Sequence, residues 1–418
     1  MLTKPTVLGL KKSFGYGDRL GLATPGHLAA SNKFDFAPIF AQQSIREMSR
    51  TERTPEEVMA AAANALTQSG FRDAWGADAD HLKTPQDADR TAAAGFCFFT
   101  IDPSEFVSNQ ADRMNLTELE TAVKQLETNR IFGERSWREF YLDREFEVSE
   151  RLRLRFTKEH LYRAAVKYGR SIHHSEVMGK HIAKVNGSRP FEIEVSVDET
   201  DSPTSPLEHL FFGMELKQRG VRNVVSLAPR FVGEFEKGID YKGDLRRFEE
   251  SLREHLAIAR FCGPYKLSVH SGSDKFSIYP IVGRVCGDLL HVKTAGTSYL
   301  EALRVVARKV PSLFAEIIAF ARDRFETDRK SYHISTTSQQ IAGLPAFKSS
   351  AEEPIYLDEI PGRQLLHVTF GSVLTIGKDA KGRKFKNSIL ETLNAHGDLH
   401  QQFVEQHFTK HLSLLNKG

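Results

Sequence analysis

Cysteine is scarce in this sequence, with three residues in 418, and their positions show no metal-type spacing. An odd and small number of cysteines excludes a disulfide framework, so we expect a reducing, cytoplasmic compartment. Long apolar runs are missing as well. No stretch approaches the roughly 18 to 20 residues that cross a bilayer, and the N-terminus carries no signal-peptide core. We therefore expect no membrane partner.

An excess of one charge is also absent. Lysine plus arginine number 57 and aspartate plus glutamate 54, for a net charge of +3. No basic stripe with interleaved aromatic residues appears, so we expect no nucleic-acid partner. No GxGxxG follows the first predicted strand, which leaves a dinucleotide site without support. With 40% hydrophobic and 27% charged residues, the composition is that of a globular protein.

Short apolar runs alternate with segments of helical periodicity along most of the chain. Most of the runs lack strict polar alternation, which predicts strands covered on both faces. Capping signals such as Thr54 with Glu57, and Asn115 with Glu118, mark the starts of helices. The predicted strands are Arg19–Ala23, Gly95–Ile101, Phe191–Val197, Val224–Ala228, Lys266–Val269, Leu289–Val292 and Gln364–Phe370.

This alternation predicts a parallel sheet, because parallel neighbours need a crossover connection. About seven or eight such units favour an α/β (β/α)8 TIM-like barrel with helical additions. We expect one barrel domain over residues 1–418. Segments 40–90 and 103–185 are too long for simple crossovers and are interpreted as helical additions to the barrel. Residues 345–363 are predicted to form an exposed acidic loop.

Several predicted strand ends carry residues that bind metals. In a barrel, catalytic groups lie where strands end and loops begin. Glu199 follows one predicted strand, and His270, His291 and His367 lie at or near the ends of three others. A single histidine at such a place is more often structural, but three beside a carboxylate form a ligand set for a divalent cation. The identity of the cation, whether Zn, Mn, Ni, Co or Mg, stays open.

The loop that follows Ala228 is dense in charge. Arg230 and Lys237 are candidates for binding an anionic substrate group, and Glu234 or Glu236 for proton transfer. The alternative is a solvated loop with internal ion pairs. Two further candidates for substrate binding are Lys275, which flanks the same predicted mouth, and Thr294, which leads into a helix whose free N–H groups suit an anion. The alternative for Thr294 is an ordinary helix cap.

Five segments of the sequence are similar to those of one known family. They are GDRLGLATPGH at 17–27, SVDET at 196–200, LAPRFVGEFEKGIDY at 227–241, VHSGSDKF at 269–276 and HVKTAGTS at 291–298. Together they resemble the tagaturonate epimerase family, and the similarity runs from about residue 13 to the C-terminus. The resemblance implies an isomerase that interconverts D-tagaturonate and D-fructuronate in hexuronate breakdown with a divalent metal, so the expected partner is a small-molecule uronate.

These two sugars differ at one carbon that is one bond too far from the ketone for enolisation to acidify its C–H. Breaking and remaking the adjacent C–C bond, in a retro-aldol step, can invert that carbon. We expect Asp198 and Glu236 to act as base and acid on the hydroxyl. Lys237, Lys293 and Arg230 are expected to steady the carboxylate and the developing charge, and Lys293 could equally hold the ketone oxygen.

Two other functions fit the same residues. A metal-dependent sugar isomerase or aldolase could use the same ligands on a related ketose, and it would move the carbonyl or cleave the chain. A non-catalytic sugar-binding protein would bind without turnover and would not need Asp198 or Glu236. The oligomeric state is left open by the sequence.

Overall fold

The computed structural model describes residues 2–133, 136–271, 273–294 and 296–417. Eight of its ten strands form a closed barrel, and every pairing within the barrel is parallel. The predicted α/β TIM-like barrel is therefore confirmed. The strands are β1 Ser13–Gly17, β2 Ala37–Ser44, β3 Gly76–Leu82, β4 Phe98–Ile101, β5 Glu145–Ser149, β6 Leu152–Arg155, β7 Glu192–Val197, β8 Val224–Pro229, β9 Lys266–Val269 and β10 Leu290–Thr294.

Around the barrel the order of neighbours is β1-β10-β9-β8-β7-β4-β3-β2, while β5 and β6 form a separate antiparallel pair. Helices connect the strands and extend the chain after the last one. They are α1 Thr24–Ser31, α2 Ile45–Thr51, α3 Pro55–Gln68, α4 Pro85–Ala93, α5 Leu116–Thr128, α6 Trp137–Tyr141, α7 Lys158–Asn186, α8 Pro206–Gln218, α9 Leu245–Cys262, α10 Tyr279–Cys286, α11 Thr297–Lys309, α12 Pro311–Asp328, α13 Ser338–Ala342, α14 Glu353–Leu357, α15 Ile360–Thr375, α16 Phe385–Ala395 and α17 Gly397–Leu415.

Caps read from the sequence reappear at the helix starts. Thr54 and Asn115 each accept a hydrogen bond from the backbone three residues on, and Glu57 and Glu118 complete the two capping boxes. These reciprocal bonds satisfy backbone N–H groups that a helix leaves unpaired at its first turn. None of the helices in the described ranges is long and apolar enough to cross a membrane.

The first strand depends on glycine. A Cβ at Gly15 would lie 2.1 Å from Oε1 of Gln42 on the neighbouring strand β2. The glycine therefore makes room for a polar side chain at this place in the barrel. This strand lies at Ser13–Gly17, so the predicted strand Arg19–Ala23 is wrong, and those residues form the loop before α1.

Three further segment predictions need correction. Residues 40–90 are more than a helical addition, since they supply most of β2 and all of β3. Residues 364–370 lie inside α15, although their apolar, partly β-branched sequence imitates a buried strand. Residues 345–363 contain the short helix α14, and Glu353, Tyr356 and Leu357 are buried there, so this segment is not an exposed loop.

Residues 103–185 hold α5, α6, the β5–β6 pair and the long helix α7, so this addition is only partly helical. Buried apolar side chains form two clusters. One covers the barrel and the helices around it. The other lies among α11 to α16. The last helix, α17, contacts both α1 and α11. This C-terminal assembly brings α15 to the mouth of the barrel.

Candidate active site

A cavity of about 450 Å³ opens at the C-terminal ends of the barrel strands. That end is where barrel enzymes carry out their chemistry. Strand ends, the β8–α9 loop and the C-terminal helices all contribute to its wall. Its charged and imidazole-bearing residues are Arg19, Arg46, Glu47, Asp80, His81, Asp198, Glu199, Asp201, Arg230, Glu234, Lys237, His270, Lys293, His333 and His367.

His81 reaches this cavity because its strand is irregular. The register between β3 and β4 shifts between Ala79 and Leu82, and His81 adopts a left-handed φ of 54°. A residue with a side chain rarely takes that conformation, and such strain concentrates at functional sites. The His81 Nδ1 lies 2.8 Å from Asp80 Oδ1. Burial lowers the pKa of His81, but Asp80 outweighs it and raises the pKa to about 9.

His270, just past the end of β9, has a similar arrangement. Its Nε2 lies 2.6 Å from Glu194 Oε1, while its Nδ1 faces Asp198 Oδ1 at 3.4 Å. Burial lowers the pKa of His270, yet the two carboxylates raise it to about 10. The pKa of Asp198 is lowered, because the nearby His270 outweighs the effect of burial. Asp198 is therefore ionised.

His81, Asp198 and His270 can converge on one cation, since one ligand atom from each lies within 4.8 Å of the others. Each histidine has one ring nitrogen on a carboxylate, Asp80 or Glu194, which leaves the other nitrogen for a metal. Such carboxylate–histidine pairs are the usual support of metal-bound imidazoles. Two imidazoles and a carboxylate suit zinc and related divalent ions. The residues present therefore fit a divalent cation.

The rest of the cavity contains side chains of both charges, and its arginines lie beside acids: Arg19 lies 2.8 Å from Glu47 and Arg46 lies 3.8 Å from Glu199. Arg19, Arg46 and Lys237 line it, and so does the imidazole of His367 on α15. The Lys237 Nζ donates to Ser271 Oγ. Burial, followed by the neighbouring Arg46, lowers the pKa of Lys237. The cavity thus has one end with the two histidines and Asp198, and another end where Arg19, Arg46 and Lys237 lie together with Glu47 and Glu199.

Of the four predicted metal ligands, the structure places only His270 in this triad. Glu199 is exposed at the cavity rim, 3.8 Å from Arg46. His291 lies deeper in the barrel, where its Nδ1 meets Ser13 Oγ at 2.9 Å and burial lowers its pKa to about 3. His367 lines the cavity, but burial and then Arg19 hold its pKa far below the usual range. Nearby cations make that position unfavourable for a metal.

Asp198, Lys237, Lys293 and Arg230 all line the cavity, as their predicted roles require. Glu236 does not. Its Oε1 accepts from Lys242 Nζ at 2.9 Å, and its Oε2 accepts from the Ser335 N–H at 2.6 Å and from Gln364 Nε2 at 2.9 Å. Burial alone would raise its pKa, but these bonds lower it to about 2. In this structure Glu236 therefore anchors the loop through these hydrogen bonds.

Two predicted substrate-binding residues also have structural partners. Lys275 is buried, and its Nζ donates to the backbone oxygens of Glu236, Ile239 and Ser273 at 2.8, 2.5 and 3.2 Å. It holds the β8–α9 loop against the barrel. Thr294 is buried as well, and its hydroxyl donates to the Gly15 carbonyl at 2.6 Å, which ties β10 to β1. Neither is among the residues that line the cavity.

A second group with metal-type residues lies behind the barrel mouth. Asp274, His407 and His411 each offer an atom within 4.8 Å of the others. Nε2 of His411, however, accepts from the Asp274 N–H at 3.1 Å, which uses its one lone pair. Asp274 Oδ1 lies 3.2 Å from His407 Nε2, and Asp274 Oδ2 accepts a hydrogen bond from the Arg363 guanidinium. This group is best described as a polar network that joins the β9–α10 loop to α17.

His81, Asp80, Glu194 and Arg46 are site residues that the sequence analysis missed. Residues 76–82 read GADADHL, in which small and acidic residues alternate with the period of a strand. That alternation could have identified β3 and the histidine at its end. Asp80 directly precedes His81 in the chain, whereas Glu194 in β7 meets His270 only in the fold, so this signal in the sequence extends to Asp80 alone.

Comparisons with known proteins agree with this geometry. A family model for tagaturonate epimerase, UxaE, matches residues 1–415. A tagaturonate/fructuronate epimerase of Thermotoga maritima is 45% identical over 412 residues, which is 99% of this chain and 82% of that protein. Crystal structures of the fructuronate-tagaturonate epimerase UxaE from Cohnella laeviribosi superpose with a TM-score of 0.91. The complex with one glycerol is 39% and the native form 38% identical, and both matches cover 99% of this chain and 83% of that chain. The chain belongs to the tagaturonate epimerase family.

Proposed function

We propose that this protein interconverts D-tagaturonate and D-fructuronate in the cavity at the barrel mouth, with a divalent cation held by His81, Asp198 and His270. The observation that carries the proposal is the polarity of the cavity. A ketouronate has a carboxylate at one end and a ketone with hydroxyls at the other. The cationic side chains of the cavity suit the carboxylate, and the metal triad suits the ketone and its neighbouring hydroxyls.

The epimerised carbon dictates the chemistry. Because that carbon is not adjacent to the ketone, a base cannot remove its hydrogen by simple enolisation. In a retro-aldol step the hydroxyl on that carbon loses its proton, and the bond to the carbon next to the ketone breaks. An aldehyde and a three-carbon enediolate result. The aldehyde then turns its other face, the C–C bond reforms, and the proton returns to the new hydroxyl.

The chain's own residues have three tasks in this scheme. Lys237 and Arg46 bind the carboxylate and keep the aldehyde fragment in the cavity while its carbonyl turns. Asp198 is ionised, and while one of its carboxylate oxygens would hold the cation, the other can accept the hydroxyl proton. His367 is neutral because its pKa is lowered, and it gives the hydroxyl a second partner. A bound divalent cation would supply electrostatic stabilisation of the negative charge that develops beside the ketone.

The test is an NMR assay of purified protein on D-fructuronate. We expect signals of D-tagaturonate to appear, to vanish after exhaustive chelation, and to return with one added divalent ion. The Asp198→Asn protein should be inactive. An aldose product would indicate an isomerase, and accumulated three-carbon fragments would indicate an aldolase. Binding of the uronate without any turnover would identify a sugar-binding protein, and each of these three outcomes would overturn the proposal.

A further inference from the structure

Lys293 lines the cavity and contacts both carboxylates that hold the histidines of the proposed metal triad. Its side chain is 4% exposed. Its Nζ lies 2.7 Å from Asp78 Oδ2, 2.8 Å from Asp80 Oδ1 and 2.9 Å from Glu194 Oε1. The hydroxyl of Thr100 is a fourth oxygen at 2.5 Å. An ammonium group has three protons, so these oxygens engage all of them.

Two of the oxygens that contact Lys293 are the same atoms that contact the histidines. Asp80 Oδ1 lies 2.8 Å from His81 Nδ1 and 2.8 Å from Lys293 Nζ. Glu194 Oε1 lies 2.6 Å from His270 Nε2 and 2.9 Å from Lys293 Nζ. The contacts therefore form one chain from His81 through Lys293 to His270. A lysine that moved away would release both carboxylates at once.

We propose that Lys293 is a positioning residue, which orients His81 and His270 for the cation by fixing Asp80 and Glu194, and which touches neither the cation nor the substrate. This inference rests on the metal site of the proposed function. It replaces the earlier expectation that Lys293 holds the ketone oxygen, because none of its protons is left for a substrate. The positive charge of Lys293 also explains how the carboxyl groups of Asp78, Asp80 and Glu194 can be buried side by side within the barrel.

Replacing Lys293 by a neutral residue should change the metal affinity in opposite directions, depending on whether its charge or its positioning role matters more. Removing a positive charge near a cation site leaves that site more negative, so charge alone predicts tighter metal binding. Loss of positioning predicts weaker binding, because both imidazoles lose the support of a fixed carboxylate. Changes to such supporting groups cost about 10- to 100-fold in metal affinity. The direction of the change therefore separates the two explanations.

The chain contains a matched control. Lys266 is also buried inside the barrel, and its Nζ lies 5.8 Å from the centre of the Phe98 ring, against 5.7 Å for Lys293. Its partners are different, namely Ser13 Oγ at 3.0 Å and the Lys11 carbonyl at 3.3 Å. Within the described ranges it makes no hydrogen bond or ion pair with Asp80 or Glu194, although burial lowers its pKa to about 8 and Glu194 acts on it at longer range. Lys266→Met therefore removes a second buried lysine from the barrel without breaking the chain of contacts, and the comparison is made at pH 7, below that pKa.

The experiment titrates Co²⁺ into metal-free protein and follows its visible absorption, which reports on the ligands directly. We expect Lys293→Met to weaken Co²⁺ binding about 10- to 100-fold and to change the absorption bands. Lys266→Met should bind Co²⁺ as the wild type does. Thr100→Val removes the neutral oxygen that accepts from Lys293, together with the bond that this hydroxyl donates to Asp78 Oδ1 at 2.9 Å, and leaves the contacts of Lys293 with Asp80 and Glu194 in place. It should weaken binding to a smaller extent, and it decides the question if circular dichroism shows Lys293→Met to be unfolded.

Each outcome has a separate meaning. Wild-type protein that fails to bind Co²⁺ would overturn the proposed metal site itself. Wild-type binding together with unchanged or tighter binding by Lys293→Met would overturn the positioning role and leave the metal site intact. Equal losses in Lys293→Met and Lys266→Met would show a general effect of buried charge and would also overturn the inference.

Discussion

At the scale of single residues, the cation site depends on support behind each ligand as much as on the ligands. His81 and His270 come from strands at different places in the barrel, and each is held by a carboxylate from a β-strand. The sequence analysis found His270 and Asp198 because both follow strands with clear apolar runs. His81 was missed because β3 carries Asp78 and Asp80, and a strand with buried acids does not look like a buried strand.

The first prediction concerns metal content. His81→Asn should lose most of its bound divalent ion, because one of three proposed ligands is replaced by a side chain that cannot reach the same point. His173→Asn is the control, since His173 lies on α7 with its side chain 47% exposed. Elemental analysis of both proteins after incubation with equal metal checks this. Full metal content in His81→Asn would exclude His81 as a ligand.

The second prediction concerns the substrate's charge. Lys237→Met should raise KM for D-fructuronate strongly, because a carboxylate loses its charged partner inside a partly buried cavity. KM for the neutral ketose fructose should change little. Steady-state kinetics on both substrates provides the measurement, with Lys180→Met on the outer surface of α7 as the control. Equal changes for the charged and the neutral sugar would assign Lys237 a role other than carboxylate binding.

At the scale of elements, the β8–α9 loop is held in place by polar bonds that the sequence does not reveal. The loop was predicted as a source of acid–base groups, and the alternative was internal ion pairs. The alternative applies in part, because Glu236 pairs with Lys242 of the same loop at 2.9 Å. Glu236 also accepts from Ser335 and Gln364 of later elements. These partners are about a hundred residues away in the chain, so neither spacing nor periodicity could have indicated them.

A pH-dependent effect on stability follows for Glu236. Its folded-state pKa of about 2 lies below the usual value of 4.5, so the unfolded chain takes up a proton first as the pH falls. The stabilisation is complete above about pH 4.5 and is lost toward pH 2. Glu236→Gln should therefore be less stable than wild type at pH 7 by about 1.5–3 kcal/mol, the range for hydrogen bonds to a charged group.

The difference between the two proteins should shrink at pH 3.5, as measured by urea unfolding at both pH values. Glu234→Gln in the same loop is the control, because Glu234 pairs with His333 on the exposed surface. Epimerase activity should survive in Glu236→Gln, since Glu236 does not line the cavity. A complete loss of turnover with an unchanged unfolding midpoint would return Glu236 to a catalytic role.

Docking of the C-terminal helix α17 also depends on one glycine. A Cβ at Gly283 of α10 would lie 1.9 Å from the carbonyl oxygen of Leu415. Gly283→Ala should therefore push α17 away and destabilise the protein by about 1–3 kcal/mol, as overpacking does. Gly397→Ala, with open space around its Cβ, should be neutral or slightly stabilising. Limited proteolysis of the C-terminus and unfolding midpoints would show whether Gly283 has this role.

At the scale of the whole molecule, the cavity combines the ends of barrel strands with later elements. The metal triad, Arg19 and Arg46 lie at or just after barrel strands, whereas the loop after β8 and helix α15 supply Lys237 and His367. The strand-and-helix alternation was sufficient to predict the barrel. It could not predict that residues 364–370 form a helix, because a buried helix and a buried strand share the same apolar composition. The position of His367 depends on packing within the C-terminal cluster.

The last prediction concerns hydrogen exchange with solvent during the reaction. In the retro-aldol scheme only the hydroxyl proton moves, and the hydrogen on the epimerised carbon stays attached while the aldehyde turns. Turnover in deuterated water should therefore leave that carbon's hydrogen unexchanged in the product, as read by proton NMR. The carboxylate, held by the cationic side chains, keeps the fragment in place for this turn. Full deuterium incorporation at that carbon would instead show that a base in the cavity, with Asp198 the nearest candidate, removes the hydrogen directly.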